Sequence, residues 1–83
     1  MEATVEISMY PLHEEYVEPI LDFIQRLKAH AGFIVKTNET STHLFGEFSS
    51  IFKALEIELE ASFKKHGKAV FVLKVIGANL LKE

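Results

Sequence analysis

The chain has 83 residues, 48% apolar and 25% charged, the balance of one small globular domain with no room for a second module. It has no cysteine, so neither disulfides nor thiolate-bound metal can hold it together, and packing helped by self-association must do so. Twelve acidic against nine basic side chains give a formal charge of −3, the wrong sign for a surface that tracks nucleic-acid phosphates. From Glu2 to Tyr10 apolar and polar residues alternate, with Ala3, Val5, Ile7 and Met9 on one side, as in a half-buried strand. Pro11 ends it. Tyr16, Val17, Ile20, Leu21, Ile24, Leu27 and Ala31 then recur at three- and four-residue steps, which predicts an amphipathic helix. Proline is tolerated only in a first turn, so Pro19 places the helix start near Glu15 to Glu18, and Gly32 is the natural stop.

Phe33 to Thr37 and Thr42 to Phe48 read as two short strands joined by a polar turn, Asn38 to Ser41, and so as an antiparallel hairpin. Ser49 or Ser50 is the expected N-cap of a second helix with the stripe Ile51, Phe52, Leu55, Leu59 and Phe63. Glu60 and Lys64 form an i,i+4 pair on its wet side, and His66 and Gly67 close it. Ala69 to Ile76 is a last strand, apolar enough to predict cover on both faces. The order β-α-β-β-α-β, with right-handed crossovers, gives an α+β sandwich of the ferredoxin-like kind over residues 1–83: a four-stranded antiparallel sheet with both helices on one face.

If Val5, Ile7, Leu44, Phe71 and Leu73 face the helices, period 2 sends Glu6, Ser8, His43, Phe45, Glu47, Val70, Val72 and Lys74 to the other face. The apolar members of that second face suit a homo-oligomer, a dimer or tetramer built sheet to sheet. Glu6 and Glu47 are expected to pair there with Lys36 or Lys74. On the helix side the hairpin gathers Thr37, Thr42 and Gly46, with Asn38 and Ser41 at the turn. These residues admit two readings. They offer hydroxyl and amide partners to a heteroaromatic ligand, with Gly46 leaving open the space of a side chain and Tyr10 at the cleft mouth. Equally, Asn38 and Ser41 make the turn, Thr37 and Thr42 are strand formers, Gly46 marks a bulge and Tyr10 caps a strand end.

Three segments together carry a resemblance that spans nearly the whole chain: ATVEISMYPL (Ala3 to Leu12), the TN-x-x-ST-x-x-x-GEF run (Thr37 to Phe48) and FVLKV (Phe71 to Val75). They resemble the thiamine-binding YkoF-like family, also described as the MTH1187-type proteins. The resemblance implies a ferredoxin-like domain, here in single-domain form, that assembles through its sheet and binds thiamine or its hydroxymethylpyrimidine moiety without catalysing a reaction. It implies ligand roles for Thr37, Asn38, Ser41 and Thr42, with Gly46 and the first strand nearby. The other class of function open to the chain is a structural or regulatory module that only self-assembles.

Enzyme signals are missing from the sequence. His13, His30, His43 and His66 show no metal-ligand spacing, no phosphate-binding glycine motif occurs, and Arg26, the single arginine, falls in mid-helix rather than in an anion cradle after the first strand. No cofactor and no metal are expected. An RNA-recognition surface would need more stacking aromatics than Phe45 and fewer acids than Glu6 and Glu47. No run approaches the ~20 apolar residues that span a bilayer, and the acidic start, Met1 to Thr4, argues against a signal peptide, so a cytoplasmic location without membrane or nucleic-acid partners is expected.

Overall fold

The computed structural model describes residues 1–82. Its elements are β1 (Glu2–Pro11), α1 (Val17–Lys28), β2 (Phe33–Thr37), β3 (Thr42–Glu47), α2 (Phe48–His66) and β4 (Ala69–Ile76). The expected β-α-β-β-α-β order holds, and all strand pairs are antiparallel in the order β2-β3-β1-β4. β1 is central, pairing Ile7 with Thr42 on one side and with Leu73 on the other.

The alternation in the strands does what period 2 demands. Val5, Ile7 and Leu44 are fully buried against Phe23 and Leu27 of α1 and Ile51, Ala54 and Leu55 of α2, while Phe71 and Leu73 pack at the margin of this core. Each large aliphatic or aromatic side chain so buried contributes about 1.5–3 kcal/mol. Phe71 also meets Phe23 and Phe63 with ring centroids at 5.0 and 5.5 Å, closing the β4 side.

One boundary of each helix departs from expectation, the end of α1 and the start of α2. α1 ends at Lys28, four residues before Gly32, where the Ala29 and His30 amides bond back to carbonyls of the last turn. The chain must leave the helix early to drop onto the β3–α2 junction. There the Gly32 carbonyl accepts from the Glu47 amide at 3.1 Å, and Gly32 takes φ +97°, a conformation open to glycine. Pro19 does lie in the first turn of α1.

α2 begins directly after β3, and its N-cap is Glu47 rather than Ser49 or Ser50. Glu47 Oε1 accepts from the amides of Ser49 and Ser50 at 3.0 and 3.2 Å and from the Ser49 hydroxyl at 2.8 Å. A carboxylate there satisfies free amides and complements the helix dipole. The Ser49 bond leads the interactions that hold this carboxyl below its ordinary pKa. Glu47 therefore does not pair with Lys36 or Lys74; its charged neighbour is the N-terminal amine at 3.3 Å. Gly67, at φ +84°, closes α2 as expected.

The outer face of β4 is not covered by the described chain at Val70 and Val72, which stay 47% and 50% exposed. Val75 and Ile76 at its far end are exposed as well, and residues 77–82 fold back over the neighbouring β1 at Thr4 instead.

Candidate functional site

The β2–β3 turn is built by Asn38. Its side-chain Oδ1 accepts from the backbone amides of Thr40 and Ser41, both at 2.9 Å, and from the Thr40 hydroxyl at 3.1 Å. This Asx-type closure lets four residues connect the strands, and the Asn38 amide also donates to the Ser41 carbonyl at 3.1 Å. The amide oxygen of Asn38 is thus committed to the turn, which leaves its NH2 group as the part that can face a ligand.

Between this turn and α1 lies a cleft. Its inner end is a recess of about 70 Å³ with Ile7, Met9, Phe23 and Ile24 as apolar walls and the turn residues Asn38 to Thr42 along one side. Its mouth is a groove of about 400 Å³ between Tyr10, Pro11, His13 and Tyr16. Met9, Ile20, Glu39 and Thr40 belong to both, so the two volumes form one tapering cleft. A dry cavity that holds benzene measures ~150 Å³, so a six-membered ring fits with one edge in the recess and its body toward the mouth.

Of the residues singled out in the sequence, the cleft brings together Asn38, Ser41, Thr42 and Tyr10. Thr42 is 6% exposed and forms no side-chain hydrogen bond among the described residues, yet no fully buried polar side-chain atom lacks a partner. Its hydroxyl is therefore open to the recess. Thr37 pairs with Thr42 across the ladder but is not part of the lining. Gly46 is the clear correction: it pairs with Phe33 at the other end of β3, where an added Cβ would meet the Gly32 carbonyl oxygen and, at 2.6 Å, Phe33 Cα. It admits a neighbouring backbone and leaves no space for a guest.

Reasoning from the sequence missed Met9, Ile20 and Ile24, since residues on an apolar strand side or helix stripe read as core, and it missed Phe23 because the three- and four-residue steps of the expected stripe pass it by. Glu39 and Thr40 read there only as members of the polar turn Asn38 to Ser41.

Ser41 links the cleft to the other face of the sheet. Its hydroxyl donates to Glu6 Oε2 at 3.3 Å, and the same oxygen meets His43 Nε2 at 3.1 Å while Lys74 Nζ lies 3.4 Å from Oε1. The His43 hydrogen bond is the largest influence on the Glu6 carboxyl, whose pKa is lowered. Glu6 thus pairs with Lys74 as expected, and with His43 in addition, and does not enter the cleft. Among the described residues no cluster of His, Asp and Glu has the arrangement of a metal site, and no helix is long and apolar enough to cross a membrane.

A ferredoxin-like domain with a cleft between its hairpin turn and first helix is the class of protein defined by these features. The chain belongs to the YKOF-related family, whose model matches residues 2–75. Among solved structures it is similar to a hypothetical protein from Methanocaldococcus jannascii, with TM-score 0.83 and 22% identity over 98% of this chain and 89% of that one. It is also similar to a protein from Thermotoga maritima assigned provisionally to thiamine biosynthesis or salvage, with TM-score 0.81 and 20% identity over 92% and 83% of the two chains. A Streptococcus pneumoniae protein matches with TM-score 0.74 and 19% identity over 98% of this chain and 91% of that one. At these identities the likeness establishes the fold. Among curated proteins none matches this chain.

Proposed function

We propose that this protein binds thiamine, or its hydroxymethylpyrimidine part, in the cleft between the β2–β3 turn and α1, and releases it chemically unchanged. The observation that carries the reading is the Thr42 hydroxyl, without a hydrogen-bond partner among the described residues, beside the apolar walls Ile7, Met9, Phe23 and Ile24 of the recess. Small-molecule sites pair such apolar walls with a few convergent polar groups. An aminopyrimidine edge presents ring-nitrogen acceptors and an amine donor, which complement the Thr42 and Thr40 hydroxyls and the Asn38 NH2. Family membership and the thiamine assignment of the Thermotoga maritima neighbour support the same ligand class.

Thermal shift and isothermal titration with thiamine and with hydroxymethylpyrimidine test this. A ligand at 100 times its Kd adds about 2.7 kcal/mol to stability. Saturable heat that weakens in Thr42→Val is the expected result; silence from both ligands on folded protein refutes the reading.

A second reading, compatible with the first, is self-association through the outer sheet face with a second copy of this chain as the occupant. Ile34, Val70 and Val72 are exposed there around the opposite charges of Glu6 and Lys74, an arrangement that a two-fold axis makes self-complementary. Phe45→Glu should lower the sedimentation coefficient of the assembly, and an unchanged value would rule this surface out.

A further inference from the structure

We infer that the cleft selects the unphosphorylated ligand, favouring a cationic ring at its mouth and rejecting phosphate esters; this rests on the binding reading above and adds the charge rule of the same site. Neither lysine nor arginine is found among the residues that line recess and mouth. The one carboxylate of the lining, Glu39, borders both volumes, so any ligand that reaches the Thr42 hydroxyl passes it.

The start of α1 is the natural place for an anion nearby, because free amides and the helix dipole gather there. Here that end is set against anions. Glu14, Glu15 and Glu18 share a groove there with Lys65 and His66, both of which are already engaged by Asp22 at 3.3 and 2.9 Å, and Pro19 removes an amide from the first turn. His13, the one imidazole of the lining, has Nε2 engaged 2.6 Å from the His66 carbonyl oxygen. A phosphate ester carries about −1.5 to −2 charges at neutral pH. It would enter this field with no lysine or arginine of the lining to meet it.

A cationic ring finds the reverse. Tyr10 and Tyr16 supply aromatic faces at the mouth and Glu39 supplies the counter-charge, the combination that attracts quaternary nitrogen. Hydroxymethylpyrimidine, uncharged, should use the recess and depend less on Glu39.

The test is isothermal titration of the intact protein with thiamine, its mono- and diphosphate and hydroxymethylpyrimidine, repeated on Glu39→Gln and Glu39→Lys. Glu39 makes no side-chain hydrogen bond among the described residues and is exposed, so both variants should fold. Thiamine should bind the unmodified protein at least about tenfold more tightly than its diphosphate, one decade being about 1.4 kcal/mol. Glu39→Lys should narrow or invert that ratio, with a smaller loss for hydroxymethylpyrimidine than for thiamine.

Thiamine bound no more tightly than its diphosphate by the unmodified protein overturns the charge rule while leaving the binding reading intact. A ratio unmoved by Glu39→Lys, or equal losses for the charged and uncharged ligands, overturns it likewise. Silence toward all four ligands removes both.

Discussion

Arg26 and Glu58 meet across the helix pair: Nη1 of Arg26 donates to Glu58 Oε1 at 2.5 Å and to the Glu58 carbonyl at 3.0 Å. The same guanidinium donates through Nη2 to the Ser62 hydroxyl at 2.6 Å and through Nε to Asp22 Oδ2 at 3.0 Å. One planar fork with several donors thus joins four groups, which a lysine could not do. Glu58 is 8% exposed, so removing its cation leaves a charge stranded in the seam. Arg26→Ala should cost about 3 kcal/mol in urea unfolding. Arg26→Met combined with Glu58→Leu, which deletes both charges, should cost less than that single change. Losses that simply add would show that the two side chains act independently.

Asp22 anchors the other end of this network, accepting from His66 Nε2 at 2.9 Å, Arg26 Nε at 3.0 Å and Lys65 Nζ at 3.3 Å. The His66 bond foremost, then Arg26 and Lys65, bring its carboxyl from 3.8 down to about 2. Between about pH 4 and pH 2 the unfolded chain binds a proton that the native chain does not, so the stabilisation from this group is present above that window and lost as pH falls through it. Glu58 adds to the same slope: burial pushes its carboxyl up, but His30 and Arg26 outweigh that and leave it lowered. Asp22→Asn should therefore lose less stability than the unmodified protein when unfolding is measured at successive pH values from 5 to 2. Parallel curves would contradict the assignment.

Thr4 shows how the tail fastens to the sheet. It points to the outer face yet is only 2% exposed, because its hydroxyl donates to the Ala78 carbonyl at 2.8 Å and accepts from the Leu80 amide at 2.9 Å. Asn79 adds a bond from Nδ2 to Glu2 Oε1 at 2.8 Å. Thr4→Val keeps the shape and removes both hydroxyl bonds, at a cost of about 1–2 kcal/mol. Hydrogen exchange at the Leu80 amide should accelerate in the variant, and unchanged protection there would mean that the tail is held by other contacts.

The strands were legible because period 2 is a strong signal. Placing Val5, Ile7 and Leu44 inward and Val70 and Val72 outward needed only alternation and one apolar side, and the helix order then fixed the sheet. The seam between the helices was not legible. Glu58 and Ser62 lie outside the apolar stripe expected for α2, and they face inward because α1 lands beside the Ala54–Glu58–Ser62 row with Arg26 at matching height. The cleft was legible in its polar half, at Asn38, Ser41, Thr42 and Tyr10, where turn chemistry concentrates short polar groups. Its apolar half, Met9, Ile20 and Ile24, looks like core in any one-dimensional reading, since whether a stripe residue meets a neighbour or a void depends on how two elements splay.

Gly46 separates those cases sharply. Its φ is not positive, so the glycine is there for space and not for conformation. The space is taken by backbone: an added Cβ would meet the Gly32 carbonyl oxygen, Phe33 Cα at 2.6 Å and Phe33 Cβ at 2.7 Å. That backbone is held in place by the bond from the Glu47 amide to the Gly32 carbonyl at 3.1 Å. Gly46→Ala must therefore push the loop off the β3–α2 junction, an overpacking cost of about 1–3 kcal/mol. In a domain of this size each kcal/mol lowers Tm by about 4–8 °C. Gly77→Ala is the matched control, since its nearest neighbour would be the flexible end of Met1 at 3.6 Å. Scanning calorimetry should place Gly46→Ala clearly below Gly77→Ala, and equal melting temperatures would mean that the Gly32–Phe33 backbone yields to a methyl group.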